Sequence, residues 1–512
     1  MPFAPSQTDI LIVGSGPVGA TFARLLAEQS PHAKILMTDL GPQLTRRAGM
    51  NLKTLPDANE RNAAQIRSQG LAQYEYENLS IHARAQTING QRAKLARPGT
   101  HLITLDELEL NASGMPAAAM SSNVGGMGAH WTCACPRPGN EERVAFIPAP
   151  ELDAALTKAE ALLRVSSGVF PVSVEGQAIQ QTLSALFDDI LPEDRKVRPM
   201  PLACAVTSDG ERIWTGADTI LGDLILSPNF TLRSETICRR LVVKGDQITG
   251  AMLEHLPSGA PQEINAKIVI VAADALRTPQ LLWASGIRPR ALGHYLNDHL
   301  WSFAAVALDE QMVTKQASHY RSPDNTIGVF QIPFHAPSHP FHAQVMHLDI
   351  SPVALDGGAA TEAKHVVGTG WSCQKEIRFA DCVTFSDTET DWIGMPKMRI
   401  HYELTEADQA AMTEAMREQA RATAALGKPV FSDEPLLVPP GTSLHYQGTI
   451  RMGATADSTS VCDSHSRVWG LRNLYVGGNG VIPTATTCNP TLTSVALAVR
   501  ACEAIIKTKE LQ

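Results

Sequence analysis

The stretch that most constrains this chain is residues 9–39. Asp9-Ile10-Leu11-Ile12-Val13 is an apolar, β-branched run that leads into Gly14-Ser15-Gly16-Pro17-Val18-Gly19 and then into the helical pattern Ala20-Thr21-Phe22-Ala23-Arg24-Leu25-Leu26. A second run, Lys34-Ile35-Leu36-Met37-Thr38, ends in Asp39, twenty residues past Gly19. Buried strand, glycine turn, helix, second strand and terminal acid form the dinucleotide fingerprint in its required order. Gly14 permits the turn, Gly16 lets backbone N–H groups approach a pyrophosphate, and Gly19 lets the helix sit close to the strand. Asp39 stands where ribose hydroxyls need an acceptor. A lone glycine pattern would be weak evidence; the five features together are strong.

Composition agrees with a large enzyme. At 512 residues the chain can form more than one core. The net charge is −9, with 43 basic and 52 acidic residues, and no basic run interleaves with aromatics, so nucleic acid is not an expected partner. No apolar stretch has membrane-spanning length, and the N-terminus lacks a signal pattern, so a cytoplasmic protein without a membrane partner is expected. The nine cysteines are odd in number and scattered, which suits reduced thiols; Cys133-Ala134-Cys135 has no second pair to complete a metal site, and no metal is expected.

Dinucleotide-type signals recur near 120–135, at 230–300 and after 440. The fold expected is α/β: a Rossmann-like dinucleotide domain assembled from residues 1–150, 200–300 and 441–512, with an interleaved α+β substrate-binding domain, built on a sheet, from 151–199 and 301–440. Residues 231–253 read as a strand pair turning at Lys244-Gly245-Asp246, and Lys267–Ala273 as a buried strand. Thr278-Pro279 through Ile287 reads as a helix begun at proline and stopped by Gly286, and a further helix is expected near Glu406 to Leu426.

The closing segment carries the chemistry. His445 in Leu444-His445-Tyr446-Gln447-Gly448 is followed 44 residues later by Asn489 in Thr487-Cys488-Asn489-Pro490-Thr491, with the apolar run Leu474-Tyr475-Val476-Gly477-Gly478 between them. A His and an Asn at one ligand can act as base and hydrogen-bond partner. Pro490 and Thr491 begin a helix whose positive end would face an electron-rich group.

Several short motifs, in order, resemble the glucose–methanol–choline oxidoreductases. They are Gly14-x-Gly16-x-x-Gly19, Ala273-Asp274-Ala275-Leu276-Arg277-Thr278-Pro279, Gly293 to Asp298-His299, and Asn489-Pro490-Thr491. Val124-Gly125-Gly126-Met127-Gly128-Ala129-His130-Trp131-Thr132-Cys133, Arg451-Met452-Gly453 and Ile482-Pro483-Thr484-Ala485 narrow the likeness to the pyranose oxidase branch, whose bacterial relatives include glycoside 3-oxidases acting on C-glycosides. The resemblance implies FAD, contacted by Gly14, Gly16, Gly19, Asp39, Gly126, His130, Trp131, Thr132, Cys238, Ala273, Gly478, Asn479, Pro490 and Thr491. It implies oxidation of a secondary ring hydroxyl at carbon 3 or carbon 2 of a sugar or glycoside, with dioxygen reduced to hydrogen peroxide. His445 would take the hydroxyl proton and Asn489 would hold the oxygen. A dehydrogenase using a quinone or another acceptor, and a flavin-binding relative without turnover, are the alternatives.

His130 matches the histidine that carries flavin covalently in the fungal branch members, but Gly128-Ala129 replaces the Ser-Thr pair before it. Non-covalent FAD is therefore expected, together with a more open site. Asp298-His299 is expected to serve architecture rather than direct catalysis. Thr132, Gln374 and Arg378 are candidate substrate contacts, and Trp371 and Trp392 have core packing as their default. Residues 346–358 are a candidate substrate loop.

Overall fold

A computed structural model describes residues 7–68, 87–88, 91–92, 100–102, 114–317, 327–347, 365–430 and 432–508. The candidate loop at 346–358 lies outside the described residues from 348 onward.

Strand β1 (Gln7–Val13) is central in a seven-stranded sheet because Ile10, Leu11 and Ile12 are fully buried, as a strand covered on both faces requires. It leads into helix α1 (Pro17–Gln29) and β2 (Ile35–Thr38), which pairs parallel to β1 with Val13 opposite Thr38. β3 (Phe230–Arg233) extends the edge beyond β2. β4 (Thr236–Lys244) and β5 (Gln247–His255) form the expected antiparallel pair, and β6 (Ala260–Val271) pairs with β5 through its first half and with β1 through its second. A strand from the far end of the chain, Leu474–Val476, adds to β6 in parallel. One sheet thus joins three separated stretches of sequence.

Helix α2 (Asp274–Ala284) begins four residues before the expected Thr278. The Asp274 carboxylate accepts from the N–H groups of Leu276 and Arg277, which starts the helix without proline. Pro279 sits inside it; the Ala275 carbonyl that proline leaves free accepts instead from the Thr449 hydroxyl.

The second large sheet is antiparallel. Its strands include β7 (Leu300–Leu308), β8 (Val329–Ile332), β9 (Phe341–His347) and β10 (Val366–Cys373), with β10 between β7 and β9. Helix α3 (Glu406–Leu426), opened by a capping box of Thr405 and Asp408, covers one face over Val306, Ala343 and Trp371. Side chains alternate across a strand, so Gln344 and Ser372 fall on the opposite face. A two-stranded hairpin follows, β11 (Cys382–Thr390) and β12 (Pro396–His401), and its tip reaches back to the first sheet, where the Arg239 guanidinium donates to the Ile393 carbonyl.

Helix α4 (Thr491–Lys507) packs on α1. It also packs on the helix Ala149–Leu163, which sequence placed mainly in the substrate-domain piece 151–199. The apolar stripe Leu152, Ala155, Leu156, Ala159 and Leu163 joins the first core, and Glu151 pairs with Arg500. All nine cysteines are buried and unpaired, as the scattered spacing predicts. Among the described residues no helix is long and apolar enough to cross a membrane.

Burial holds four histidines neutral: it pushes His130 and His299 down to about 4, and His339 and His342 down to about 3. The unfolded chain protonates these rings near pH 6.5, so stability falls as pH drops below that value, by up to about 1.4 kcal/mol per pH unit per ring. Asp39, pushed up to about 6 by burial, opposes this together with Asp218 and Asp274, whose carboxyls burial also raises, since the contribution of each is lost as pH rises through its folded value; the four rings outnumber the three acids. Melting temperature is expected to decline steadily from pH 6.5 to 4.5, above the usual carboxylate range. A flat or rising profile across that window would contradict it.

Candidate active site

One cavity of about 250 Å³ opens beside the first sheet. Gly14, Ser15, Gly16 and Asp39 line one end; Thr132, His445, Asn489 and Thr491 line the other.

The glycines act by different means. Gly14 has φ +104°, and a Cβ on Gly19 would stand 2.0 Å from the Gly14 carbonyl oxygen, so Gly19 serves helix–strand packing and does not line the cavity. A Cβ on Gly16 would meet only the Gly125 carbonyl oxygen, at 3.8 Å; the space beside it is left for a ligand. The Asp39 carboxylate accepts from the Ser15 N–H and hydroxyl and from the Gly41 N–H, while the Ser15 hydroxyl accepts from the Gly125 N–H at 2.8 Å. Ser15 thereby ties the fingerprint turn to the second glycine loop, a function the glycine spacing alone did not disclose.

That second loop places Gly126, Trp131 and Thr132 on the cavity wall, with Trp131 Nε1 donating to the Thr215 carbonyl at 2.7 Å. His130 does not line the cavity. Asn123 Oδ1 takes its Nε2–H at 3.0 Å and Nδ1 is buried without a partner. Gly128 does line the cavity, and a Cβ there would lie 2.9 Å from Pro17 Cγ, itself on the wall. Cys238, Ala273, Gly478 and Asn479 line the wall, whereas Pro490 caps α4 without reaching it. Sequence reading passed over Ile393, Met395 and Arg277, which also line it; Arg277 keeps buried Nε and Nη2 donors without partners.

His445 and Asn489 come together from positions 44 apart, Nε2 to Nδ2 at 3.4 Å. His299 Nδ1 meets the Thr486 carbonyl at 3.1 Å; a carbonyl only accepts, so this nitrogen carries the proton. The ring is neutral, and His299 Nε2 therefore accepts from His445 Nδ1–H at 3.0 Å. His445 Nε2 is left with its lone pair toward Asn489 and the cavity, the tautomer a base requires. Asp298 accepts from the N–H groups of Gly441 and His445 and from the Ser443 hydroxyl, holding a turn in which Leu444 has φ +61°. The Asp298-His299 motif thus acts beside the site, through His445. Gln344 Nε2 donates to Asn489 Oδ1 at 2.8 Å, which aims the amide nitrogen at His445.

Two sequence candidates are elsewhere. Gln374 donates to the Ala485 carbonyl at 2.8 Å and holds the Asn489 segment rather than the cavity wall. Arg378 is paired with Glu403 at 2.9 Å and with Asp381 at 3.8 Å, and does not line the cavity. Trp371 is fully buried in the second core. Among the described residues no cluster could hold a metal ion.

Comparison with known proteins agrees with this arrangement. The chain is 44% identical to a C-glycoside 3-oxidase of Microbacterium trichothecenolyticum, over 97% of this chain and 96% of that one, and the GMC oxidoreductase profiles match residues 140–301 and 382–498. This chain is a GMC oxidoreductase. A C-glycoside 3-oxidase of Arthrobacter globiformis is 42% identical, covering 97% and 94% of the two chains, and a pyranose 2-oxidase of Tricholoma matsutake is 33% identical, covering 98% and 93%. The suspected pyranose oxidase branch is therefore the right one. Two GMC-fold structures share its architecture: a pyridoxine 4-oxidase from Mesorbium loti, with TM-score 0.62 over 97% and 99% at 17% identity, and a formate oxidase from Aspergillus oryzae, with TM-score 0.65 over the whole of both chains at 15% identity. GMC oxidoreductases bind flavin, and this cavity fits it: an open cradle at Gly16, an acid at Asp39 and unpartnered donors on Arg277.

Proposed function

We propose that this GMC oxidoreductase oxidises a secondary ring hydroxyl of a sugar or glycoside, C-glycosides included, at carbon 3, and passes the electrons to dioxygen to give hydrogen peroxide. The observation that carries this reading is the base-tautomer His445 Nε2 beside Asn489 Nδ2 on the wall of a cavity that also holds the fingerprint loop. Bound FAD supplies two-electron acceptor chemistry at that wall. His445 Nε2 takes the hydroxyl proton, and Asn489 Nδ2–H donates to the oxygen as negative charge grows on it. The Thr486 carbonyl, His299 and His445 Nδ1–H keep the imidazole in its working orientation. Carbon 3 follows from the names of the relatives at 44% and 42% identity and from sterics, because a substituent on carbon 1 crowds carbon 2. An aryl C-glucoside is expected to give higher kcat/KM than D-glucose and a 3-keto product by NMR; preference for free glucose with a 2-keto product would overturn the assignment.

FAD is held without a covalent bond. His130 Nε2 is committed to Asn123, and its other ring nitrogen is buried. Acid precipitation is expected to leave all the yellow colour in the supernatant; flavin retained in the pellet would contradict it. Nine buried, unpaired thiols suit a cytoplasmic setting.

A further inference from the structure

The segment that presents Asn489 has no regular structure, so its shape depends on side chains that grip its backbone. The gripping is two-sided. In the peptide unit joining Thr486 to Thr487, the carbonyl accepts from His299 Nδ1 and the N–H donates to Glu142 Oε1 at 2.6 Å. In the next unit, the Thr487 carbonyl accepts from the Ser372 hydroxyl at 2.8 Å and the Cys488 N–H donates to the same Glu142 oxygen at 3.1 Å. The Thr487 hydroxyl donates to it as well, at 2.8 Å, and the Gly139 N–H donates to Oε2. The Thr484 hydroxyl closes the set on the Glu142 carbonyl at 2.8 Å.

Glu142 is 1% exposed, and no Lys or Arg among the described residues pairs with it. Among the described residues its carboxylate is met by these N–H and O–H donors and by the Cys488 thiol. Charge-assisted bonds are roughly twice as strong as neutral ones, and a buried carboxylate that loses them is costly, so the donors are drawn to a fixed distance. The opposite edge of the same two peptides holds His299, which holds His445. We propose that Glu142 is the positioning residue for the His445–Asn489 pair: pulling on one edge of two successive peptides, it sets both where Asn489 stands and where the support of His445 stands. It touches neither substrate nor flavin. The idea rests on the proposed roles of His445 and Asn489.

The test compares Glu142→Gln, Asn489→Ala and the double variant as FAD-loaded proteins, following flavin reduction anaerobically by whichever of D-glucose and the aryl C-glucoside is better. The amide replaces Oε2 by a donor facing the Gly139 N–H, so the clamp must shift. A displacement of about 1 Å costs on the order of 10²-fold in rate. Glu142→Gln is expected to slow the limiting reduction rate about ten- to a hundredfold, with an unchanged flavin spectrum and little change in substrate affinity. In the Asn489→Ala background the same change should slow the reaction by far less, since the group being positioned is gone. Full rate in Glu142→Gln, or an equal slowing in both backgrounds, would overturn the proposal. Full rate in Asn489→Ala would instead overturn the catalytic reading beneath it. Should Glu142→Gln not fold, Thr487→Val removes one donor at constant volume and passes through the same cycle, with a severalfold slowing in the native background alone as the supporting result.

Discussion

His445→Ala is expected to slow flavin reduction by sugar about a hundred- to ten-thousandfold, the usual contribution of a positioned base. FAD binding and the visible spectrum should survive, because the ring contacts His299 and Asn489 rather than the Gly14–Gly19 turn. Rapid mixing without oxygen isolates the step. The structure makes the prediction specific to one nitrogen. Nδ1–H is spent on His299, so Nε2 alone can accept the proton, and a variant that keeps only a Nδ1-like donor, such as His445→Asn, should remain slow. Near-native reduction in His445→Ala would remove the residue from catalysis.

The second large effect separates two glycines that a fingerprint treats alike. Gly16→Val should fold yet purify without FAD, since a Cβ at Gly16 meets only the Gly125 carbonyl oxygen at 3.8 Å and the branched group enters ligand space. Gly19→Val should fail at folding itself, because its Cβ would lie 2.0 Å from the Gly14 carbonyl oxygen, inside the contact of helix α1 with the turn. Circular dichroism reports the fold and absorbance in the flavin band reports the cofactor. A folded Gly16→Val protein with a full complement of FAD would mean that the turn does not cradle a pyrophosphate.

What sequence discloses here follows the range of the interactions. The unit from β1 to Asp39 is legible because strand, turn and helix each carry a local pattern within 33 residues, and the pairing of β4 with β5 is announced by its own turn at Gly245-Asp246. His445 and Asn489 are legible as residue types in motifs, and folding brings them within hydrogen-bonding range. The side chains that orient them are not. Gln344 meets Asn489 across 145 residues, His299 meets His445 across 146 and Glu142 meets Thr487 across 345, and no periodicity records such contacts. Gln374 was misdirected for the same reason: an amide near a site suits a sugar hydroxyl as well as the Ala485 carbonyl, and only tertiary structure chooses. The start of α2 was misplaced because a helix-opening proline and an internal one look alike until Thr449 is seen to satisfy the carbonyl that Pro279 leaves free.

Oxidation of a sugar hydroxyl by FAD held in this cavity, with His445 and Asn489 at the reacting oxygen, is the function proposed. It is tested most directly by titrating the purified yellow protein with sugars and glycosides in the absence of oxygen. Bleaching of the flavin band by at least one of them, return of the colour on admitting air, and one hydrogen peroxide formed per keto sugar is the predicted result. A colourless protein, or a yellow one that no sugar or glycoside bleaches, would contradict the account.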